Sequence, residues 1–295
     1  MGTYEITARY KADASVSTTF TIRVTDKEVS VLMIGDSFTD DIGELAPDVL
    51  DDMGYIFEIG RLCVYNGGST IEDHYTNATN DSANYRLRYY ENGAWTSRYG
   101  NKEQTLEYGV TFTDWDVITF QQERGASGLA DTYANLGNLV SYVEEKATNE
   151  NVKLMFNMTW AYDEGFATKW PDDASFSNYN NDQMTMYNAI VSTAQSEVKE
   201  KLSLPIIPVG TAIQNARTSF VKSALTRNEF NLTRDSNGEY IAALTFVAAI
   251  TGEDISNVTY TPRNVNSDKK KQVAIESVKN AIANPFSVTD SVYTA

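Results

Sequence analysis

The run Val29-Ser30-Val31-Leu32-Met33-Ile34-Gly35-Asp36-Ser37-Phe38 decides how the chain is read. Residues 29–34 are almost wholly apolar and stop at a glycine, the pattern of a parallel strand covered on both faces. Gly35-Asp36-Ser37 then makes a small-residue turn that sets Ser37 at the carboxyl edge of the sheet. A helix starting there offers backbone N–H groups to a developing oxyanion, as a serine nucleophile in acyl transfer requires. The same tripeptide is also a common turn and helix cap, so by itself it leaves both readings open.

Downstream, apolar segments at 56–64, 115–120, 152–157 and 204–209 read as four further strands. Helical patterns separate them. Tyr133, Leu136, Leu139, Val140 and Val143 keep a three-four spacing, as do Tyr187, Ile190, Val191, Ala194 and Val198. Residues 239–250 are apolar nearly all round, as in a buried helix, and 267–283 form a last helix that stops before Pro285. Pro47 kinks or starts the helix that runs to Gly54. Strands alternating with helices predict a three-layer α/β/α sandwich around a parallel sheet, of flavodoxin-like type, over residues 29–284. Residues 285–295 read as a C-terminal tail. The insert 76–107 has no clear period and is rich in Asn, Tyr, Arg and Gly, so it is either a substrate surface or loop filler.

Residues 1–28 differ from the rest. Residues 4–10 and 17–24 alternate in period two around a polar turn, which predicts a β-hairpin. Two strands alone cannot bury a face. The run resembles the last strands of a bacterial immunoglobulin-like repeat, which implies a remnant of an upstream domain.

Composition narrows the function. Lys+Arg number 24 against 40 Asp+Glu, a net charge of −16, which excludes a nucleic-acid partner and disfavours anionic lipid. No apolar stretch is long enough to span a membrane, so no membrane insertion is expected. The start has neither a basic head nor an apolar run, so no signal peptide is read in this chain. The single cysteine, Cys63, excludes an internal disulfide and reads as a buried structural thiol; the single histidine, His74, excludes poly-histidine sites. Asp36, Asp40, Asp41, Glu44 and Asp48 gather near Ser37, but carboxylates are favoured at helix amino termini anyway, so neither metal nor cofactor is expected.

Three polar segments fall where a site after Ser37 needs them: Asn66-Gly67-Gly68-Ser69, Gln121-Gln122-Glu123 and Thr233-Arg234-Asp235. With Gly35-Asp36-Ser37-Phe38 they form an ordered set that resembles the SGNH or GDSL hydrolase superfamily. Residues 115–122, 158–162 and 210–217 are more closely similar to a bacterial SGNH-like family of unassigned function. The resemblance implies Ser37 as nucleophile and first oxyanion donor, Gly68 or Gly67 as the second, and Gln121 or Gln122 in the place of an asparagine amide as the third. It implies Asp235 as the residue that orients a histidine base; beside these, Asp36, Trp160 and Tyr162 are candidates for contacting substrate, the two aromatics against core packing.

The match breaks where the base belongs. These hydrolases carry Asp-x-x-His, whereas this chain reads Asp235-Ser236-Asn237-Gly238 in a shortened loop. A second family histidine is replaced by Asn157. His74, after the glycine turn, is left as either a replacement base or a substrate contact. Trp95, Trp170, Tyr85, Tyr89, Tyr90 and Tyr99 are further candidates for stacking on sugar rings, against core packing.

The expected function is therefore a serine esterase on an acyl ester, such as a carbohydrate O-acetyl group. The alternatives are a degenerate hydrolase that binds a glycan or peptide without turnover, and a shortened version of an active parent. The bacterial resemblance places the parent outside the cell or on its surface.

Overall fold

The computed structural model describes residues 2–64, 68–97 and 102–294. Its centre is a seven-stranded sheet in the order β6-β5-β4-β3-β7-β8-β9. The strands are β3 (Glu28–Gly35), β4 (Ile56–Val64), β5 (Tyr85–Glu91), β6 (Ala94–Ser97), β7 (Val117–Gln121), β8 (Lys153–Asn157) and β9 (Ile206–Ile207). From β4 through β3 to β9 all pairs are parallel, with Val31, Leu32 and Met33 of β3 facing Val117, Ile118 and Thr119 of β7. Alternate residues of β3 serve different cores. Val31 and Met33 join the face that holds α1 (Ser37–Gly43), α2 (Ala46–Asp52), α7 (Gln183–Thr193), α8 (Val209–Arg217), α9 (Asn237–Thr251) and α10 (Asp268–Ala283). Leu32 and Ile34 join the face that holds α3 (Ile71–Thr79), α4 (Leu106–Val110) and α5 (Leu136–Lys146). A one-turn helix, α6 (Phe166–Lys169), sits in the loop after β8.

This is the expected sandwich, with two departures. The insert 76–107 contains the β5-β6 hairpin, which extends the sheet antiparallel beyond β4. Asn92 and Gly93 at its tip have φ of 52° and 77°, the left-handed pair that a tight hairpin turn demands. Tyr85, Leu87 and Tyr89 alternate inward and are buried, so the insert contributes core as well as edge. At the opposite edge the expected strand 204–209 shrinks to two residues. Pro205 and Pro208 flank it, and proline has no N–H to give a ladder.

Among the described residues the amino-terminal strands β1 (Gly2–Tyr10) and β2 (Asp13–Val24) pair only with each other. At the other end, residues after Pro285 lie against the body: Thr289 N–H donates to Asn215 Oδ1 at 2.7 Å, and Phe220 N–H donates to the Tyr293 carbonyl at 2.8 Å. Among the described residues no helix is long and apolar enough to cross a membrane.

Candidate functional site

The site starts from β3. Gly35 is packed so closely that a Cβ there would stand 2.1 Å from Thr39 Oγ1, so no larger residue fits. Asp36 follows as the cap of α1, its Oδ1 accepting the Phe38 N–H at 2.8 Å. Ser37, the first helical residue, is left exposed beside it. Asp36 itself is buried, and burial pushes its carboxyl up to about 7 against the lowering effect of its hydrogen bonds. Its Oδ2 is buried with no partner.

Ser37 opens on a cavity of about 390 Å³. Asp36 and Asp40 bound it from α1, Cys63, Val64 and Gly68 from the end of β4. Arg124 closes it from the segment after β7, and Phe230 with Asn231 from the loop before α9. The Arg124 guanidinium lies 4.2 Å from the centre of the Phe230 ring. Its Nε sits 3.3 Å from Glu123 Oε1 and its Nη2 3.2 Å from Asp173 Oδ2, while Nη1 is buried with no partner. Asp41 anchors the Phe230 loop: its carboxylate accepts from Asn231 Nδ2 and the Leu232 N–H and meets Arg227 Nη2 at 3.1 Å.

Residues 30–281 match the family model described as a domain of unknown function, DUF4886. The chain belongs to this family. A crystal structure of a DUF4886 protein from Bacteroides uniformis is 32% identical, with a TM-score of 0.83 over 91% of this chain and 100% of that one. The structure of TesA aligns at 11% identity and a TM-score of 0.41, covering 76% of this chain and 98% of that one. Among curated proteins nothing matches.

Within this DUF4886 frame the sequence candidates separate. Ser37, Asp36 and Gly68 meet at one cavity; Gly67 and Tyr99 lie outside the described residues. Both glutamine amides hold structural hydrogen bonds. Gln121 Nε2 donates to Asp36 Oδ1 at 2.5 Å while its Oε1 accepts from Thr39 Oγ1, so it braces the cap. Gln122 Nε2 donates to Thr132, and its Oε1 accepts the Ile71 and Glu123 N–H groups, tying α3 to the strand end. Asp235 is exposed at a φ of 50°, and its N–H donates to Glu239 Oε2.

His74 lies on the other face of the sheet. It is 1% exposed in α3, with Nδ1 2.9 Å from the Tyr85 hydroxyl and Nε2 buried without a partner. Burial holds its imidazole down at about 4, so it stays neutral near pH 7. Neither ring nitrogen reaches Ser37.

Several aromatic candidates are also internal. Trp160 stacks on Phe38 at 4.0 Å and donates its Nε1 to the Phe230 carbonyl, and Tyr162 stacks on Phe166 at 3.9 Å. Both are fully buried and support Phe230 from behind, leaving no face for a ligand. Tyr85 and Tyr89 are core residues, and Trp95 covers the buried Arg61 guanidinium at 3.7 Å. Cys63 is half-buried and lines the cavity, with its thiol pushed well above its usual range by burial. The acidic cluster is dispersed into separate contacts, Asp40 meeting Arg61 and Arg88 and Asp41 meeting Arg227. Among the described residues no three His, Cys, Asp or Glu side chains are arranged to hold a metal ion.

Arg124, Phe230 and Asn231 were not expected from sequence. Arg124 had a signal, since it follows directly on the carboxyl end of a parallel strand, where ligands of open α/β sheets sit. Phe230 and Asn231 had none, because their loop is brought to the cavity by long-range contacts, among them those with Asp41 and Trp160.

Proposed function

We propose that the Ser37 cavity binds a neutral, hydroxyl-rich ligand, a sugar, on a hydrolase-like frame that lacks the base for turnover. The observation that carries this reading is the position of the chain's one histidine, buried against Tyr85 on the far face of the sheet. A serine hydroxyl is a weak nucleophile unless a base within hydrogen-bond reach takes its proton. The acids near it are placed for other work: Asp36 caps α1 through Oδ1 with its Oδ2 buried, Asp40 meets Arg61 and Arg88, and Glu123 accepts the N–H groups of Gly125 and Ala126.

What the cavity offers instead is recognition. The Ser37 hydroxyl is exposed to serve as donor or acceptor, and the Arg124 and Asp36 side chains line the same cavity, with Nη1 of one and Oδ2 of the other buried and unpartnered just beneath its wall. Phe230 adds an apolar ring beside them. That mixture suits an uncharged polyol better than a polyanion, which the net charge of −16 repels.

A second reading, a serine esterase of SGNH type, is favoured by the exposure of Ser37 at the amino end of α1 facing Gly68. One assay separates the two: hydrolysis of a short-chain aryl acetate by the chain and by Ser37→Ala. The binding reading expects equal rates. A rate about a hundredfold lower in Ser37→Ala overturns it and makes Ser37 a nucleophile.

A further inference from the structure

We propose a second sugar subsite at Trp170, so that the ligand is an oligosaccharide lying from the Ser37 cavity to the Trp170 ring; this rests on the reading of that cavity as a sugar site. A cavity of about 540 Å³ is lined by Lys169, Trp170, Pro171, Asp172, Asp173 and Ala174. Side chains that line the first touch side chains that line this one. Phe230 lines the Ser37 cavity and packs edge-on to Trp170 at 5.8 Å between ring centres. Arg124 lines the Ser37 cavity and holds Asp173 of the second at 3.2 Å.

Trp170 is 40% exposed, whereas Trp115 and Trp160 are sunk to 1% and 0%. Its Nε1 donates to the Asn228 carbonyl at 3.0 Å, so what the side chain turns outward is ring carbon. The ring is held ready. Trp170 N–H donates to Phe166 O, Asp173 N–H donates to Trp170 O, and Pro171 stiffens the turn between them. A flat apolar ring with a polar border meets both surfaces of a pyranose: C–H groups on the ring face, hydroxyls on the border. Asp173 is already held by Arg124 and Ser175, which leaves Asp172, with Lys169, as the polar border for hydroxyls, a mixed pair that favours an uncharged ligand over a charged one.

The test uses the full chain on an array of neutral mono- to hexasaccharides, followed by calorimetric titration of the best oligosaccharide and of its terminal monosaccharide. The oligosaccharide is expected to bind at least about tenfold tighter than the monosaccharide. Trp170→Ala should cost the oligosaccharide about tenfold and leave the monosaccharide unchanged. Trp170→Tyr, which keeps a flat ring against Phe230, should recover most of the loss, and it covers the case in which the alanine variant folds poorly. Equal affinities, with Trp170→Ala silent, overturn the subsite and leave the Ser37 cavity standing. Trp170-dependent binding that Ser37→Tyr does not weaken overturns the Ser37 reading and with it the continuous cleft. Binding to nothing on the array overturns both.

Discussion

The two faces of the sheet bury ionisable groups with opposite consequences. On the face of α1 and α9, burial raises the carboxyls of Asp36 and Glu239 to about 7; on the face of α3 it lowers the imidazole of His74 to about 4. In all three the neutral form is favoured because the charge has been moved out of water. The same face also buries an ion pair: Asp163 and Arg217, 3% and 4% exposed, meet at 2.5 Å. Both faces thus disfavour an isolated charge; the face that frames the cavity holds acids and one ion pair, while the chain's one histidine lies on the other.

Breaking that ion pair should give the largest effect. Arg217 also donates to the Ala161 carbonyl and Gln214 Oε1, and Asp163 accepts from Thr226, so the pair ties the segment after β8 to α8 and to the loop that leads to Phe230. Arg217→Met leaves Asp163 buried and unpaired, at an expected cost of about 3–5 kcal/mol in urea unfolding. The double variant Asp163→Leu/Arg217→Met should cost less than the single one, because no isolated charge remains. A single variant within about 1 kcal/mol of the parent would show that water reaches the pair and that this face is wetter than its exposure indicates.

The pH dependence sharpens the comparison next. Asp36 has a folded value of about 7 against 3.8 in the open chain, so its contribution is complete below about 3.8 and is lost as pH rises through 7. That swing is about 4 kcal/mol. His74 runs the other way. Its folded value of about 4 lies below 6.5, so its contribution is complete above about 6.5 and is lost as pH falls towards 4, a swing of about 3 kcal/mol. Asp36→Asn keeps a capping oxygen and should make the decline towards high pH shallower, leaving the part that the raised Glu239 carboxyl contributes; His74→Asn should make the decline towards low pH shallower. Urea unfolding of parent and variants from pH 4 to 8 reads both slopes. If Asp36→Asn leaves the profile superimposable on the parent, the carboxyl is solvated through the cavity and the contrast between faces fails.

How much of this was legible in sequence follows from which forces are local. The run from Val29 to Ser37 was readable because an apolar strand and a small-residue turn are local signals, and Ser37 stands at the predicted edge. The position of His74 after the glycine turn was readable too, but not the face it occupies. That face was set by helix rotation: α3 buries Ile71, His74 and Ala78, a three-four spacing that points the imidazole inward. The β5-β6 hairpin was missed because its inward residues are Tyr85, Leu87 and Tyr89 with arginines between, an alternation hidden by polar neighbours, although Asn92-Gly93 marked the turn. What the glutamine amides donate to, Asp36 for Gln121 and Thr132 for Gln122, is a long-range matter that only the folded state shows.

The smallest effect expected concerns the region that shares neither face. In the amino-terminal hairpin Tyr4 pairs with Ile22 and Ile6 with Phe20, an apolar stripe whose members are 57%, 39%, 41% and 48% exposed. Burial of apolar area is the main favourable term in folding, and these residues bury little against the body. Deleting residues 2–24 should therefore move the unfolding free energy of the remainder by no more than about 0.5 kcal/mol, the range of surface changes. It should also lower any self-association, since a contiguous apolar strip on an open two-stranded edge is a site for pairing with another chain. A loss of about 2 kcal/mol or more would mean that the stripe packs on the body in solution, and the hairpin would then count as part of the main fold. An unchanged stability with reduced association would instead make it an independent element whose apolar face is satisfied by something other than this domain.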